Sequence, residues 1–330
     1  MVFQKCLDNM PKVSVIVPVY GVDRYIERCA RSLFEQTLDD IEYVFVNDCT
    51  PDSSMALIAN IISYYPTRTT QIKIVNHPVN KGLPAARNTG VSQASGDFVI
   101  HLDSDDWMEP NMIEKMYLTA KLYNADAVGC DYFKNDEPVP SHISDETEVN
   151  CRDHFLSSAI ACKGMQSVWR FMVKREICQN IEFWPTQSQG EDLTMIIQMA
   201  YKCRDIRYLH IPLYHWRTVE SSLTNDSSEN AIVKRHLGLA ENVRTIEKFL
   251  IKENINNTYS NQLIALKLEA NFYLRPLLRK GKSIEMWRNA FPEINGKVLT
   301  NRFIEARHKI EYLSVKYLPE KVIPFVYKIV

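Results

Sequence analysis

Phe98-Val99-Ile100-His101-Leu102 runs directly into Asp103-Ser104-Asp105-Asp106, and Trp107 closes the stretch. The apolar run reads as a buried strand, and the segment from 109 to 123 has helical spacing. A strand that ends in three carboxylates places negative charge at the carboxyl edge of a parallel sheet, where open α/β folds take their ligands. Side-by-side carboxylates repel unless a cation or hydrogen-bond donors compensate them. A hard divalent ion, Mn²⁺ or Mg²⁺, shared with substrate phosphates is one compensation. An Asp-rich turn capping the next helix is the other reading of the same residues.

Outward from this stretch the chain alternates strand and helix patterns. Val13-Ser14-Val15-Ile16-Val17 is a β-branched run that stops at Pro18, and Ile26, Cys29, Ala30 and Leu33 follow at helical spacing within 22–36. Residues 41–46 predict a strand ending at Asn47-Asp48, and Asp52 is a candidate N-cap for the next helix. Strands are expected at 71–75, 97–102 and 125–133, and a helix at 84–94. This alternation predicts an α/β fold, a mostly parallel sheet covered by helices on both faces. Residues 134–150 read as an irregular loop or flap. Beyond about 229 the pattern is helical, so the expected division is 1–228 for the α/β domain and 229–330 for a helical region.

Composition narrows the class. With 330 residues, 45% hydrophobic and 24% charged, the chain has the make-up of a soluble globular protein. Its net charge of -1 conceals an asymmetry: residues 231–330 hold 18 Lys and Arg against 9 Asp and Glu. No apolar stretch reaches the roughly 20 residues needed to span a bilayer, and the first residues lack the layout of a signal peptide. The eight cysteines show no metal-ligand spacing and read as reduced packing residues. The expected compartment is the cytosol.

No GxGxxG follows the first strand and no GxxxxGK[ST] occurs, which removes two common phosphate-binding devices. Instead each early strand ends in polar or special residues: Pro18-Val19-Tyr20, Asn47-Asp48, Asn76-His77 and the Asp103 cluster. Val15-Ile16-Val17-Pro18-Val19-Tyr20, Val46 through Ser53, Asn80 through Gly90 and Asp103-Ser104-Asp105-Asp106 together resemble the nucleotide-binding half of family 2 glycosyltransferases. Glu191-Asp192 and Tyr214-His215-Trp216-Arg217, leading to Ser221 through Thr224, extend the resemblance over about 12–224. It implies a GT-A fold, a nucleoside-diphosphate sugar donor and a divalent metal.

The resemblance also implies roles. Asp48 would read the base by accepting the imide N–H of uracil, with helix capping as its alternative. Tyr20 would stack on the base beside Pro18. Asn80 and Lys81 would form the loop that brings the next helix to the donor. Arg87 offers a fixed fork for phosphate or nucleotide oxygens, or else makes a surface ion pair. Asp103 would contact ribose or the donor sugar, and Asp105 the metal. Asp192 would be the general base, with Glu191 beside it. His215 is either a packed histidine or a further metal ligand; Arg217 would clamp phosphate. Trp169 and Trp184 either line the sugar or acceptor pocket or pack in the core. This chain has Asn47 where the family pattern has a second Asp, and Cys49 where it has Gly, which makes that turn less permissive.

The expectation is an inverting glycosyltransferase that moves a sugar from a UDP-sugar to a hydroxyl of a glycan or a polyprenyl-diphosphate-linked acceptor, in surface or capsular polysaccharide synthesis. Arg275, Arg279, Lys280, Lys282, Arg302, Arg307 and Lys309 lie among Phe272, Leu277, Trp287 and Phe303. They form either a peripheral surface for anionic lipid or ordinary solvated helix faces. A homo-oligomer is compatible with the sequence, and no motif supports nucleic-acid binding. A sugar nucleotidyltransferase would carry a Gly- and basic-rich loop where Pro18-Val19-Tyr20-Gly21 stands. A non-catalytic sugar-nucleotide sensor would lack the carboxylates at 105 and 192.

Overall fold

A computed structural model describes residues 10–140, 149–163, 167–218 and 226–327. The expected loop at Ser221 to Thr224 lies outside the described residues. The chain forms two compact units, neither continuous in sequence. The first takes Met1–Phe155, Ser167–Trp184 and Gln198–Val219; the second takes Leu156–Gln166, Pro185–Ile197 and Glu220–Val330.

The first unit is built on one mixed sheet. Its strands are β1 (Val13–Val19), β2 (Ile41–Asn47), β3 (Ile72–Asn76), β4 (Phe98–His101), β5 (Trp107–Met108), β6 (Ala127–Lys134), β7 (Glu137–Val139), β8 (Phe171–Lys174) and β9 (Ile206–Trp216). The spatial order is β3-β2-β1-β4-β8-β6-β9-β5, with β7 on β6. β1 to β4 pair in parallel, whereas β8 runs antiparallel to both β4 and β6, and β5 antiparallel to β9. The sequence expectation of a mostly parallel sheet therefore describes the first half and misses the alternation in the second. Hydrophobic periodicity reports which residues are buried, not the direction of the strand that carries them.

Every residue of β1 is buried, as expected for a central strand covered on both faces. Val13, Val15, Val17 and Val19 join a core with Ile26, Cys29, Ala30 and Leu33 of helix α1 (Ile26–Phe34). The opposite face packs on helix α3 (Leu83–Gln93), which follows α2 (Ser54–Ile62) and precedes α4 (Met112–Tyr123). There Ile16 lies so close to Gly90 that a β-carbon built at residue 90 would stand 2.1 Å from Ile16 Cγ2. Gly90 thus sets how closely α3 approaches the sheet. At the other end of β1, Ser14 donates to the buried carboxylate of Glu42, which Ser95 and Lys73 also hold. Burial pushes the Glu42 carboxyl up, but Lys73 and the two hydroxyls outweigh it and leave it below its ordinary value.

Part of the expected loop at 134–150 is regular. β6 and β7 form a hairpin whose two turn residues, Asn135 (φ 49°) and Asp136 (φ 69°), are both left-handed. That is the turn geometry whose twist matches paired strands, and Asn and Asp tolerate it.

The second unit is helical around α8 (Glu229–Lys252) and α9 (Ser260–Phe272), which come after α5 (Arg152–Ile160), α6 (Arg175–Gln179) and α7 (Glu191–Lys202). Lys267 is buried between Glu247 (2.7 Å) and Glu293 (2.6 Å). Of the basic residues singled out in this region, Arg275 makes a two-pronged pair with Glu311, Lys282 pairs with Glu229, and Arg307 pairs with Glu305. Part of the regional positive charge is therefore neutralised within the unit. Among the described residues, no helix is long and apolar enough to cross a membrane.

Gly90→Ala supplies the first prediction. Alanine is the better helix former by about 1 kcal/mol, but overpacking against Ile16 costs about 1–3 kcal/mol, so the variant is expected to be net destabilised. Ile16→Ala in the same chain should recover part of the difference. Urea unfolding of the two single variants and the double variant measures the coupling, and additive effects would contradict the packing account.

Candidate active site

The carboxyl ends of β2, β1 and β4 lie side by side, and polar side chains fasten the loops that leave them. After β1, Gly21 N–H donates to Thr50 Oγ1 (2.9 Å) and Asp23 N–H donates to Asp52 (2.9 Å). Asp52 also accepts from the Thr50 and Ser54 hydroxyls and from Ser54 N–H. Burial acts to raise the Asp52 carboxyl, yet these donors hold it at about 2. The N-cap of α2 is Ser53, not the expected Asp52, which lies one residue earlier and ties the β1 and β2 loops together. Tyr20 stands on the tied segment, half exposed, with Pro18 buried beneath. Cys49 takes φ 58°, the left-handed conformation that glycine adopts at less cost.

Asp48 is buried and faces the loop that opens α3. Its Oδ1 accepts from Lys81 N–H (2.8 Å) and lies 2.6 Å from His77 Nδ1; its Oδ2 accepts from Gly82 N–H (2.8 Å). The other ring nitrogen of His77 lies 2.9 Å from Thr89 Oγ1 on α3. Asn80 and Lys81 are exposed at the mouth of this loop, and Gly82 turns the chain at φ 85°. His77 was not among the expected site residues, although its place directly after a strand end was the available signal.

Arg87, on α3, is 1% exposed and donates to Asp103 Oδ1 at 2.7 Å. The pair is buried on the arginine side, unlike the surface pair that was the alternative reading. Asp106 is enclosed: it accepts from Tyr214 Oη–H (2.8 Å) and from Arg217 N–H (2.8 Å). Tyr214 Oη in turn accepts from Asp103 N–H (3.2 Å). Trp169 is nearly buried and stacks on Tyr214 with ring centres 4.1 Å apart, beneath the acidic turn. His215 is sandwiched between Trp107 (4.7 Å) and Phe133 (4.5 Å), with Nε2 2.7 Å from Glu109. Glu109, like Tyr214 Oη, became visible only when β5 and β9 paired, placing Trp107 opposite His215.

The electrostatics of the cluster are those of uncompensated charge. Burial, and then the neighbouring Asp103 carboxylate, push Asp105 up to about 6. Burial, and then Asp105 and Asp103, push Asp106 up to about 9 against the opposing donors Arg217 N–H and Tyr214. Among the described residues no group of three His, Cys, Asp and Glu side chains forms a ready coordination sphere. The donor set nevertheless fits a hard cation that completes its shell with substrate oxygens.

Glu191 and Asp192 occupy the first turn of α7, after Gly190 at φ 79°. Both belong to the second unit, whereas Asp48, Asp103, Asp105 and His215 belong to the first. Trp184 is half-buried.

The chain is similar to known proteins in sequence and in fold. Residues 14–204 match Glycosyl transferase family 2. An uncharacterized glycosyltransferase from Bacillus subtilis, EpsJ, is 32% identical over 223 residues, covering 65% of this chain and 63% of the relative, so the match leaves over a third of that protein unspanned. In fold the chain is similar to S. aureus TarS 1-349 solved with UDP-GlcNAc, with TM-score 0.59, 18% identity and 93% of each chain covered. It is also similar to a mannosyltransferase from Pyrobaculum calidifontis solved with GDP-Man and Mn²⁺, with TM-score 0.54, 16% identity, and 96% of this chain and 84% of that one covered.

The raised Asp106 carboxyl gives a pH prediction. A group that keeps its proton to higher pH in the folded state stabilises the fold fully below its unfolded value, near 3.8, and loses that contribution as pH climbs toward about 9. In EDTA, the melting temperature of the native chain should fall between pH 5.5 and 8.5 more steeply than that of Asp106→Asn, which cannot ionise. Parallel slopes would contradict the assignment.

Proposed function

The chain belongs to Glycosyl transferase family 2, and from that premise we propose that it transfers a sugar from a UDP-sugar to a hydroxyl of a glycan or lipid-linked glycan acceptor. The observation that carries this reading is the carboxylate turn after β4, with Arg87 locked to Asp103 and the Asp48-anchored loop at the neighbouring strand end. Asp48 Oδ1 is occupied, but Oδ2 holds a single donor, Gly82 N–H. A carboxylate oxygen can accept twice, so Asp48 retains capacity for the uracil imide N–H. The exposed Tyr20 ring offers the stacking face, and Asn80 and Lys81 stand on the loop that Asp48 holds.

Asp105, with the oxygen of Asp103 that Arg87 does not hold, would bind Mn²⁺ or Mg²⁺. Such an ion supplies charge neutralisation for the leaving diphosphate. The exposed guanidinium of Arg217 would act on the same phosphates while its backbone N–H orders Asp106. His215, held by Glu109 and flanked by two rings, would shape the site from behind; direct ligation of the metal is a further role that the resemblance assigns to it. Asp192 would remove the acceptor proton as the new bond forms, giving inversion in a single displacement. Glu191 and Trp184 are assigned to the acceptor side. Surface-polysaccharide synthesis at the inner face of a membrane is the setting that the family resemblance suggests.

Two substitutions separate binding from chemistry. Asp105→Ala should weaken Mn²⁺-dependent UDP affinity at least tenfold by calorimetry, and unchanged affinity would remove its metal role. Asp192→Asn should keep UDP affinity within about threefold and lower sugar transfer by roughly 10²–10⁴, the usual worth of a positioned base. Transfer at the native rate would remove Asp192 from the mechanism.

A further inference from the structure

A cleft of about 590 Å³ in the first unit is lined by Arg24, Arg28, Trp107, Asp105, Glu109 and Arg217, among others. Arg28, on the exposed face of α1, lies flat over Trp107 with its guanidinium carbon 3.2 Å from the ring centre. Stacking of that kind fixes the plane of the fork and leaves its edge N–H donors free. Arg217 enters from the end of β9, 6.0 Å from the Tyr25 ring. Arg24, Arg28 and Arg217 have no carboxylate within ion-pair distance among the described residues.

The other charged side chains of the cleft each have a hydrogen-bond partner, a neutral phenol for Glu35 and an imidazole for Glu109. Arg31 holds Glu27 (2.9 Å), Glu35 accepts from Tyr65 (2.5 Å) and Glu109 holds His215 (2.7 Å). The remaining carboxylate, Asp105, is the one assigned to the cation. Burial lowers the Arg28 guanidinium from its ordinary value, Asp136 opposes that, and the nearby positive Arg217 adds to it. Two forks held close without an anion between them repel, and an oxyanion relieves that repulsion while taking several charge-assisted hydrogen bonds.

The position of the cleft decides whose oxyanion it takes. Arg217, assigned to the donor phosphates, lines it, but the other donor residues, Pro18, Tyr20, Asp48, Asn80, Lys81 and Arg87, do not. It joins the proposed site only through Asp105 and Arg217. We propose that this cleft is an oxyanion subsite on the acceptor side, holding a phosphate group carried by the acceptor between Arg28, Arg24 and Arg217. The subsite rests on the glycosyl-transfer reading, whose acceptor class it specifies.

Inorganic phosphate is the probe. It is titrated by calorimetry into the full chain in EDTA, and again after saturation with UDP and Mg²⁺. Binding in both conditions, with Kd raised fivefold or more in Arg28→Ala and UDP affinity unchanged, supports the subsite. Phosphate that fails to bind, that is excluded once UDP is bound, or that binds Arg28→Ala with less than a fivefold loss overturns it. A chain that does not bind UDP at all would defeat the donor reading while the EDTA titration still decides the cleft.

Discussion

Mutual repulsion among Asp103, Asp105 and Asp106 is the constraint around which the site of this chain is organised. Burial raises the proton affinity of Asp105 and Asp106, and the neighbouring carboxylates add to it. The fold answers each differently. Asp103 meets a buried guanidinium, and Asp106 meets a phenol and a backbone N–H. Among the described residues Asp105 is given only its own backbone N–H, so the charge left over is concentrated where a cation with substrate oxygens would complete the balance. A charge imbalance maintained by a rigid scaffold is a common mark of a functional position.

That balance depends on how closely α3 sits on the sheet. Arg87 reaches Asp103 because α3 packs on β1, and Gly90 permits the approach by leaving Ile16 the space a side chain would fill. The start of the same helix is pinned by Asp48, which takes the N–H groups of Lys81 and Gly82, and its middle by the His77–Thr89 contact. The acidic turn after β4 and the loop after β3 are thus connected through one helix. A packing defect under α3 would be felt at both of these loops.

Much of this was legible in the chain itself. The strands at 13–17, 41–46 and 97–102 could be read because β-branched runs stop at polar strand ends, and the first 135 residues carry the alternation clearly. Less visible were the partners. Nothing near Asp106 in sequence points to Tyr214 or to the backbone of Arg217, more than a hundred residues away. The mixed direction of β8, the hairpin at Asn135-Asp136 and the two-residue strand β5 also escaped, since short strands carry too few residues to set a period.

The sequence by itself determined the family, the α/β architecture of the first half and which polar and charged residue types stand at its strand ends. Those properties follow from local order along the chain, which periodicity and motif spacing record. Tertiary structure alone decided which groups meet: that Arg87 belongs to Asp103, that Asp48 holds a loop, that Glu109 takes His215, and that Arg28 lies over Trp107. Charge compensation acts over a few ångströms between elements far apart in the chain, and only packing brings them within that distance.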